Sequence, residues 1–343
     1  VSSALHYNDK NLIEKVIRAL SLLEMLVGAG CPLVFKGGTA LMLILGKSAH
    51  RLSIDIDVIC PPGTNIEDYL KAFADFGFTA LELVERKQRN DANIPKSHSK
   101  FFYQIAYRND ADAQSYILLD VLYEDVHYLR TRQIAIDSPF IRLEGEPLMV
   151  TVPSAEDILG DKLTAFAPNT TGIPYYKNGK SCSMEIAKQL YDVGRLFENV
   201  SDLQITSQAF RKIAAVELSY RSLGTDAGLV FNDIRQTALC ISTRGKAGEG
   251  DFNLIQDGII RVKSFMYKQR YLIDNAIIDA ARAAYLATLI EKGVTRVEPY
   301  PENPNDIKDL VIRTSLTNKL NKLKSNLPEA YYYWAKTSEL LES

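Results

Sequence analysis

Cysteine is scarce in this chain and badly placed for chemistry. Cys31, Cys60, Cys182 and Cys240 lie far apart, form no CxxC pair and have no histidine close by in sequence. That spacing excludes a zinc finger and reads as small buried apolar side chains of a reducing compartment. Histidine is just as thin, with His6, His50, His98 and His127 scattered singly. No apolar run approaches the roughly 18 residues of a membrane span, and no charged-then-apolar leader opens the chain. The expectation is a cytoplasmic protein without a membrane partner. Charge of one sign is lacking too: the net value is −2, so no overall basic field draws the chain to nucleic acid. Local basic patches stay open, because recognition depends on where charge sits as well as on its sum. There is no G-x-x-x-x-G-K-[ST] loop and no GxGxxG turn, and no internal repeat or low-complexity tract.

What is present is an ordinary globular composition, with 46% hydrophobic and 24% charged residues over 343 positions. That length suits two domains, and the periodicity changes near residue 152. Before it, short strand-like runs mix with a few helices. Leu33 to Lys36 is apolar and ends in Gly37-Gly38, and Thr39 to Leu45 reads as a helix with a Thr cap and Gly46 as its stop. Ile54 to Cys60 alternates strictly, and Asn65 to Phe76 reads as a helix stopped by Gly77. Phe78 to Val84, Phe101 to Tyr107 and Tyr116 to Tyr123 follow as β-rich runs. This is an α/β (α+β) pattern. From Pro153 onward the pattern is helical, with stretches at about 183–198, 203–221, 230–242, 252–268 and 271–292 and a helical tail. A Pro/Gly/Asn/Thr-rich loop at 168–182 interrupts it. The expected division is a sheet domain over 1–152 and a helical domain over 153–343.

The most informative segment is Arg51 to Cys60, RLSIDIDVIC. Successive strand side chains point to opposite faces, so Asp55 and Asp57 share one face and sit about 7 Å apart at Cα. Two such carboxylates repel unless a cation neutralises them. Their hard oxygens suit Mg²⁺, which takes its remaining ligands from water and substrate phosphate. The alternative is a solvent-facing edge strand, yet Asp is depleted in strands. Asp120 stands alone in the apolar run SYILLDVLY. A carboxylate there is costly unless paired, protonated or metal-bound, so it is either the third metal-holding group or a buried salt-bridge partner.

A strand entering Gly37-Gly38 and then a helix brings backbone N–H groups to one point, a geometry that binds phosphate. Many α/β turns hold two glycines for conformational reasons alone. Here the order of parts adds weight: glycine turn, helix, two-aspartate strand.

KGGTAL followed by R-x-S-x-D-x-D resembles the AbiEii/AbiGii toxin family of nucleotidyltransferases, within the DNA-polymerase-β-like superfamily. Lys36, Gly37, Gly38, Thr39, Arg51, Ser53, Asp55 and Asp57 all agree with its first motif, and Asp120 in LLDV agrees with its third carboxylate. Lys162 in DKLTAF resembles the family's K-x-x-A element, which the resemblance implies holds triphosphate. In AKQLYDVGRLF, Lys188 and Asp192 agree with the pattern while Gln189 replaces its first Asp. The resemblance spans roughly residues 30–200. It implies a polymerase-β-like mixed sheet with flanking helices, an all-helical C-terminal domain, and a toxin paired with a separately encoded antitoxin. Transfer RNA 3′ ends are the implied acceptor. Without it, Lys162 reads as an exposed helix lysine, and Lys188 with Asp192 as a surface pair four residues apart.

The residues and the resemblance together give nucleotidyl transfer from a nucleoside triphosphate to an acceptor hydroxyl, with Mg²⁺ on Asp55, Asp57 and Asp120. Asp120 completes the metal site or takes the hydroxyl proton. Lys36, Gly37, Gly38, Thr39 and Ser53 form the nucleotide cradle, and Lys162, Lys188 and Asp192 support it. An RNA acceptor would use local charge, best supplied by the basic stretch 86–100. Rival readings are transfer to a small molecule or protein, a metal-dependent nuclease, and an idle partner-binding module.

Overall fold

Asp9 starts the first helix by accepting the Leu12 N–H at 3.0 Å. That helix, α1 (Lys10–Gly28), places Leu12, Val16, Ala19, Leu20, Leu23 and Leu26 at helical spacing on one buried face. In a computed structural model this face packs on β2 and β5 of a five-stranded mixed sheet. The model describes residues 9–84, 96–106, 113–200, 203–267, 269–312 and 318–343.

The sheet carries β1 (Val34–Lys36), β2 (Ile56–Cys60), β3 (Ala80–Val84), β4 (Lys96–Gln104) and β5 (Gln114–Tyr123), with α2 (Gly37–Leu45) between the first two. Its order is β1-β2-β5-β4-β3, which puts β5 in the middle. Only β2 and β5 run parallel; the other neighbours are antiparallel. One face holds Phe35, Ile56, Val58, Leu119, Val121, Phe101 and Tyr103, all buried. A β-ribbon, β6 (Thr131–Ala135) with β7 (Met149–Pro153), follows.

The chain divides into two compact units, Val1–Ser154 with Phe265–Arg270, and Ala155–Ser264 with Tyr271–Ser343. The second unit holds α3 (Ala155–Ala165), the two-residue strands β8 (Tyr176–Lys177) and β9 (Lys180–Ser181), and α4 (Ser183–Phe197). It continues with α5 (Leu203–Tyr220), α6 (Ala227–Ser242), α7 (Phe252–Val262), α8 (Ile273–Glu291), α9 (Leu323–Asn326) and α10 (Pro328–Glu342). Helix α8 is buried nearly all round, as a central helix should be. The Tyr331–Trp334 cluster is core: Trp334 is fully buried and donates from Nε1 to Ser242 Oγ at 2.9 Å.

Several local expectations give way. The expected helix from Asn65 to Phe76 is only a 3-10 turn, Ile66–Tyr69. Asn65 donates its amide to Asp68 at 3.1 Å and makes no cap. Strand β4 begins at Lys96, five residues earlier than its apolar run suggests, because one face of its first half is polar. The loop at 168–182 contains the β8–β9 hairpin, turned by Asn178 (φ 50) and Gly179 (φ 73), the positive-φ pair such tight turns favour. The expected helix to residue 268 ends at Val262, and Phe265–Arg270 belong to the sheet unit.

Candidate active site

Strand register builds the site. Lys36 is opposite Asp57, Asp57 is opposite Asp120, and Asp120 is opposite His98. Directly opposed residues point to the same face, so these four form one row across β1, β2, β5 and β4, on the face away from α1. Adjacent strands lie about 4.8 Å apart, so two carboxylates stand side by side with a lysine at one end and a histidine at the other. His98 Nδ1 is in hydrogen-bond contact with Asp120 Oδ1. The Lys36 ammonium also stands over the Tyr128 ring, 5.8 Å from its centroid.

The glycine turn closes on this row. Gly37 has φ +79, and a Cβ there would meet Asp57 Oδ2 at 2.1 Å. Both its backbone conformation and its contact with the carboxylate therefore require glycine. A Cβ on Gly38 would meet Ser53 Oγ at 2.7 Å and Arg51 Nη2 at 2.9 Å. The residues of R-x-S-x-D are thus packed against the turn. The turn opens α2 with Lys36 in the cap position, so the helix begins two residues before the Thr cap expected from sequence. Thr39 is fully buried, and its hydroxyl donates to the Asp55 carbonyl oxygen at 2.7 Å. It ties α2 to the chain entering β2. Asp55 itself lies one residue before that strand and is half-buried.

A second brace comes from far along the chain. Leu52 N–H donates to the Phe265 carbonyl oxygen at 2.8 Å, and Tyr267 N–H to the His50 carbonyl oxygen at 2.9 Å. Arg51, 7% exposed, pairs across this bridge with Met266. The polar motif is therefore held on both sides, by α2 and by residues 265–267.

The donor set fits a hard divalent cation: hard carboxylate oxygens on neighbouring strands, approached closely by a glycine backbone. Among the described residues no three His, Cys, Asp or Glu side chains already converge as a closed metal site.

The helical unit brings together three other residues singled out in sequence. Lys162 on α3 forms an ion pair with Asp192 Oδ2 on α4 at 2.9 Å and donates to Gln189 Oε1 at 3.0 Å. The side chains of Lys162 and Asp192 are only 7% and 2% exposed. Lys162 is therefore not an exposed helix lysine, and Asp192 belongs to no surface pair. Gln189 and Asp192 are three apart and share a helix face. With a neutral amide at 189, one lysine charge meets one carboxylate charge in this pair. Lys188 is half-buried on the same helix.

His98 was missed by sequence reasoning, which left it in a basic stretch over 86–100. The missed signal was alternation: Lys96, His98 and Lys100 share one face of β4. Lys100 is committed to Glu82 at 3.2 Å. Arg86, Lys87 and Arg89 lie outside the described residues. Cys31, Cys60 and Cys240 are buried, as expected of small apolar side chains, while Cys182 is half-buried. Cys31 and Cys60 also meet, and that contact together with burial raises the Cys31 thiol.

With this geometry in place, residues 19–261 match the model of a family described as nucleotidyl transferase AbiEii toxin, type IV toxin–antitoxin system. Among solved structures, JHP933 from Helicobacter pylori is similar at 14% identity and TM-score 0.38, covering 83% of this chain and 91% of its own. MenT4, a nucleotidyltransferase toxin from Mycobacterium tuberculosis H37Rv, is similar at 14% identity and TM-score 0.40, covering 94% of this chain and 92% of its own. No curated protein matches the sequence.

Proposed function

Because the chain belongs to the AbiEii nucleotidyl transferase toxin family, we propose that it moves a nucleoside monophosphate from a nucleoside triphosphate to an RNA hydroxyl, the 3′ end of a transfer RNA, with Mg²⁺ at the sheet row. The observation that carries this reading is the Lys36–Asp57–Asp120–His98 row closed by the Gly37 backbone.

Asp55 and Asp57 would hold the cation, with Asp120 beside them. When bound, it neutralises charge on the triphosphate and on the departing pyrophosphate. The N–H groups of Gly37 and Gly38, at the start of α2, bind phosphate oxygens, and Lys36 adds positive charge at the end of the row. Ser53 and Thr39 keep the turn and the Asp55 backbone in register. The acceptor oxygen attacks the α-phosphorus in line, the bond to the β-phosphate oxygen breaks, and pyrophosphate leaves. The acceptor proton goes to Asp120 Oδ2, whose partner oxygen Oδ1 is steadied by His98. Lys162 contributes to triphosphate binding together with Lys188, and Asp192 fixes the position of Lys162. The toxin reading implies a separately encoded antitoxin that restrains the activity, and cytoplasmic action on RNA.

The test incubates the full chain with each labelled nucleoside triphosphate, Mg²⁺ and total cellular RNA, beside Asp57→Ala. Label on RNA that needs Mg²⁺ and Asp57 supports the proposal. Label on protein or on a small molecule replaces the acceptor, and unlabelled RNA breakage replaces transfer by nuclease chemistry. No label on any component overturns the reading.

A further inference from the structure

A cavity of about 490 Å³ in the helical unit belongs to none of the machinery described so far. Its wall is the end of α6, the loop that follows, the first turns of α8, and the 3-10 helix Asn318–Lys322 with the start of α9. Its volume is within the usual range of ligand sites, roughly 300–1,000 Å³.

Its charge is one-sided. Arg244, Lys246, Lys319 and Lys322 line it, against a single carboxylate, Asp274, which Arg244 already meets at 2.9 Å. The whole chain carries −2. Gathering cations in one recess opposes the overall balance and costs self-repulsion, so an anionic occupant is what the recess suits. Between the cations lies an apolar floor of Ile277, Leu323 and Leu327. Cations flanking apolar surface match a nucleotide, with phosphate on the lysines and the base against the aliphatic floor.

The rim is held in place. Arg244 is a non-glycine residue at φ 55, a conformation that costs free energy and persists only when its surroundings enforce it. Those surroundings are Thr243, whose hydroxyl donates to the Leu239 carbonyl oxygen at 2.8 Å and accepts the Ala247 N–H at 2.9 Å. Gly245 N–H donates to the Cys240 carbonyl oxygen at 2.8 Å. Lys319 Nζ donates to the Lys246 carbonyl oxygen, tying the loop to the opposite wall. Lys246 thus rises from a braced backbone, and only its side chain has to order around a ligand.

We propose that this cavity binds a phosphate-bearing nucleotide, carried either within an RNA strand or as free nucleoside triphosphate. The inference concerns binding alone and stands apart from the transfer reaction, so failure of that reading leaves it untouched.

The experiment uses fluorescence anisotropy with the full chain and two probes, a labelled 20-nucleotide single-stranded RNA and a labelled nucleoside triphosphate, with EDTA replacing Mg²⁺. The variant is Lys246→Gln/Lys322→Gln, checked for an unchanged thermal midpoint. RNA binding weakened tenfold or more, with a log–log salt slope lower by about 1.4 for two lost phosphate contacts, supports the proposal and makes RNA the source. Weakening of triphosphate binding alone supports it with free nucleotide as the source. Should the double variant unfold, Asn326→Glu adds a negative charge at an exposed rim position without removing a packed group, and the same losses are expected. If both probes bind each folded variant as they bind the native chain, the proposal is overturned.

Discussion

At the scale of single residues, the sheet row makes the sharpest claims. Asp57 stands beside Asp120 in register, and Gly37 closes on its carboxylate. Replacing Asp57 by Ala relieves carboxylate repulsion in metal-free protein, so the thermal midpoint in EDTA should hold or rise. Transfer should fall a thousandfold or more, a barrier increase of about 4 kcal/mol. Retained transfer, or a collapsed midpoint, removes Asp57 from the site. Gly37→Ala should behave differently, losing transfer and stability together. At φ +79, with its Cβ 2.1 Å from Asp57 Oδ2, an alanine there should cost more than about 1 kcal/mol. A urea midpoint equal to that of the native chain would show that the turn tolerates a side chain.

At the scale of elements, the α3–α4 contact and the central helix α8 each carry a buried charge. Lys162→Met takes from buried Asp192 the ammonium it meets at 2.9 Å, which should cost about 3–5 kcal/mol. Lys162→Met/Asp192→Leu should recover most of that loss, because the uncompensated charge goes with it. Urea unfolding measures both. If Lys162 also serves the triphosphate, the double variant regains stability yet not nucleotide use; recovery of both would leave the pair purely structural. On α8, Asp279 is buried, and burial pushes its carboxyl up to about 6 against the pull of Arg195 and Arg282. A carboxyl raised in the folded state keeps its proton after the unfolded chain has lost it. Stability is therefore fully present below the unfolded value of 3.8 and falls as pH rises towards 6, by on the order of 3 kcal/mol. Relative to the native chain, Asp279→Asn should gain stability across that window. A difference between the two chains that stays constant from pH 4 to 6.5 would contradict the raised carboxyl.

Over the whole molecule, a net charge of −2 leaves RNA affinity to local patches. One is the basic stretch singled out in sequence; the other is the cavity of the helical unit. The first patch is tested through Arg86, Lys87, Arg89 and Lys96, leaving the Lys100–Glu82 pair intact. Neutralising these four should weaken RNA labelling and flatten its salt dependence, with nucleoside triphosphate saturation unchanged. Survival of both RNA labelling and its salt slope would leave the acceptor to the other patch or to an acceptor other than RNA.

The order of glycine turn, helix and acidic strand was readable in the chain because each depends on short-range rules: conformational freedom, helix periodicity and strand alternation. The strand itself starts one residue after Asp55 and carries only Asp57. The sheet's strands and the long helices followed for the same reason. What lay beyond the sequence was register and partnership. Nothing local says that Asp57 faces Asp120, that His98 stands behind Asp120, or that residues 265–267 return to brace Arg51. Lys162 looked exposed because a lysine on a helix usually is; only α3 against α4 determined that it is buried on Asp192. Gathering Arg244 and Lys246 with Lys319 and Lys322 around one cavity joins residues more than 70 positions apart. Local sequence sets backbone conformation and the faces of each element, whereas long-range pairing is decided by how whole elements bury their apolar faces, and that free energy is shared across the core.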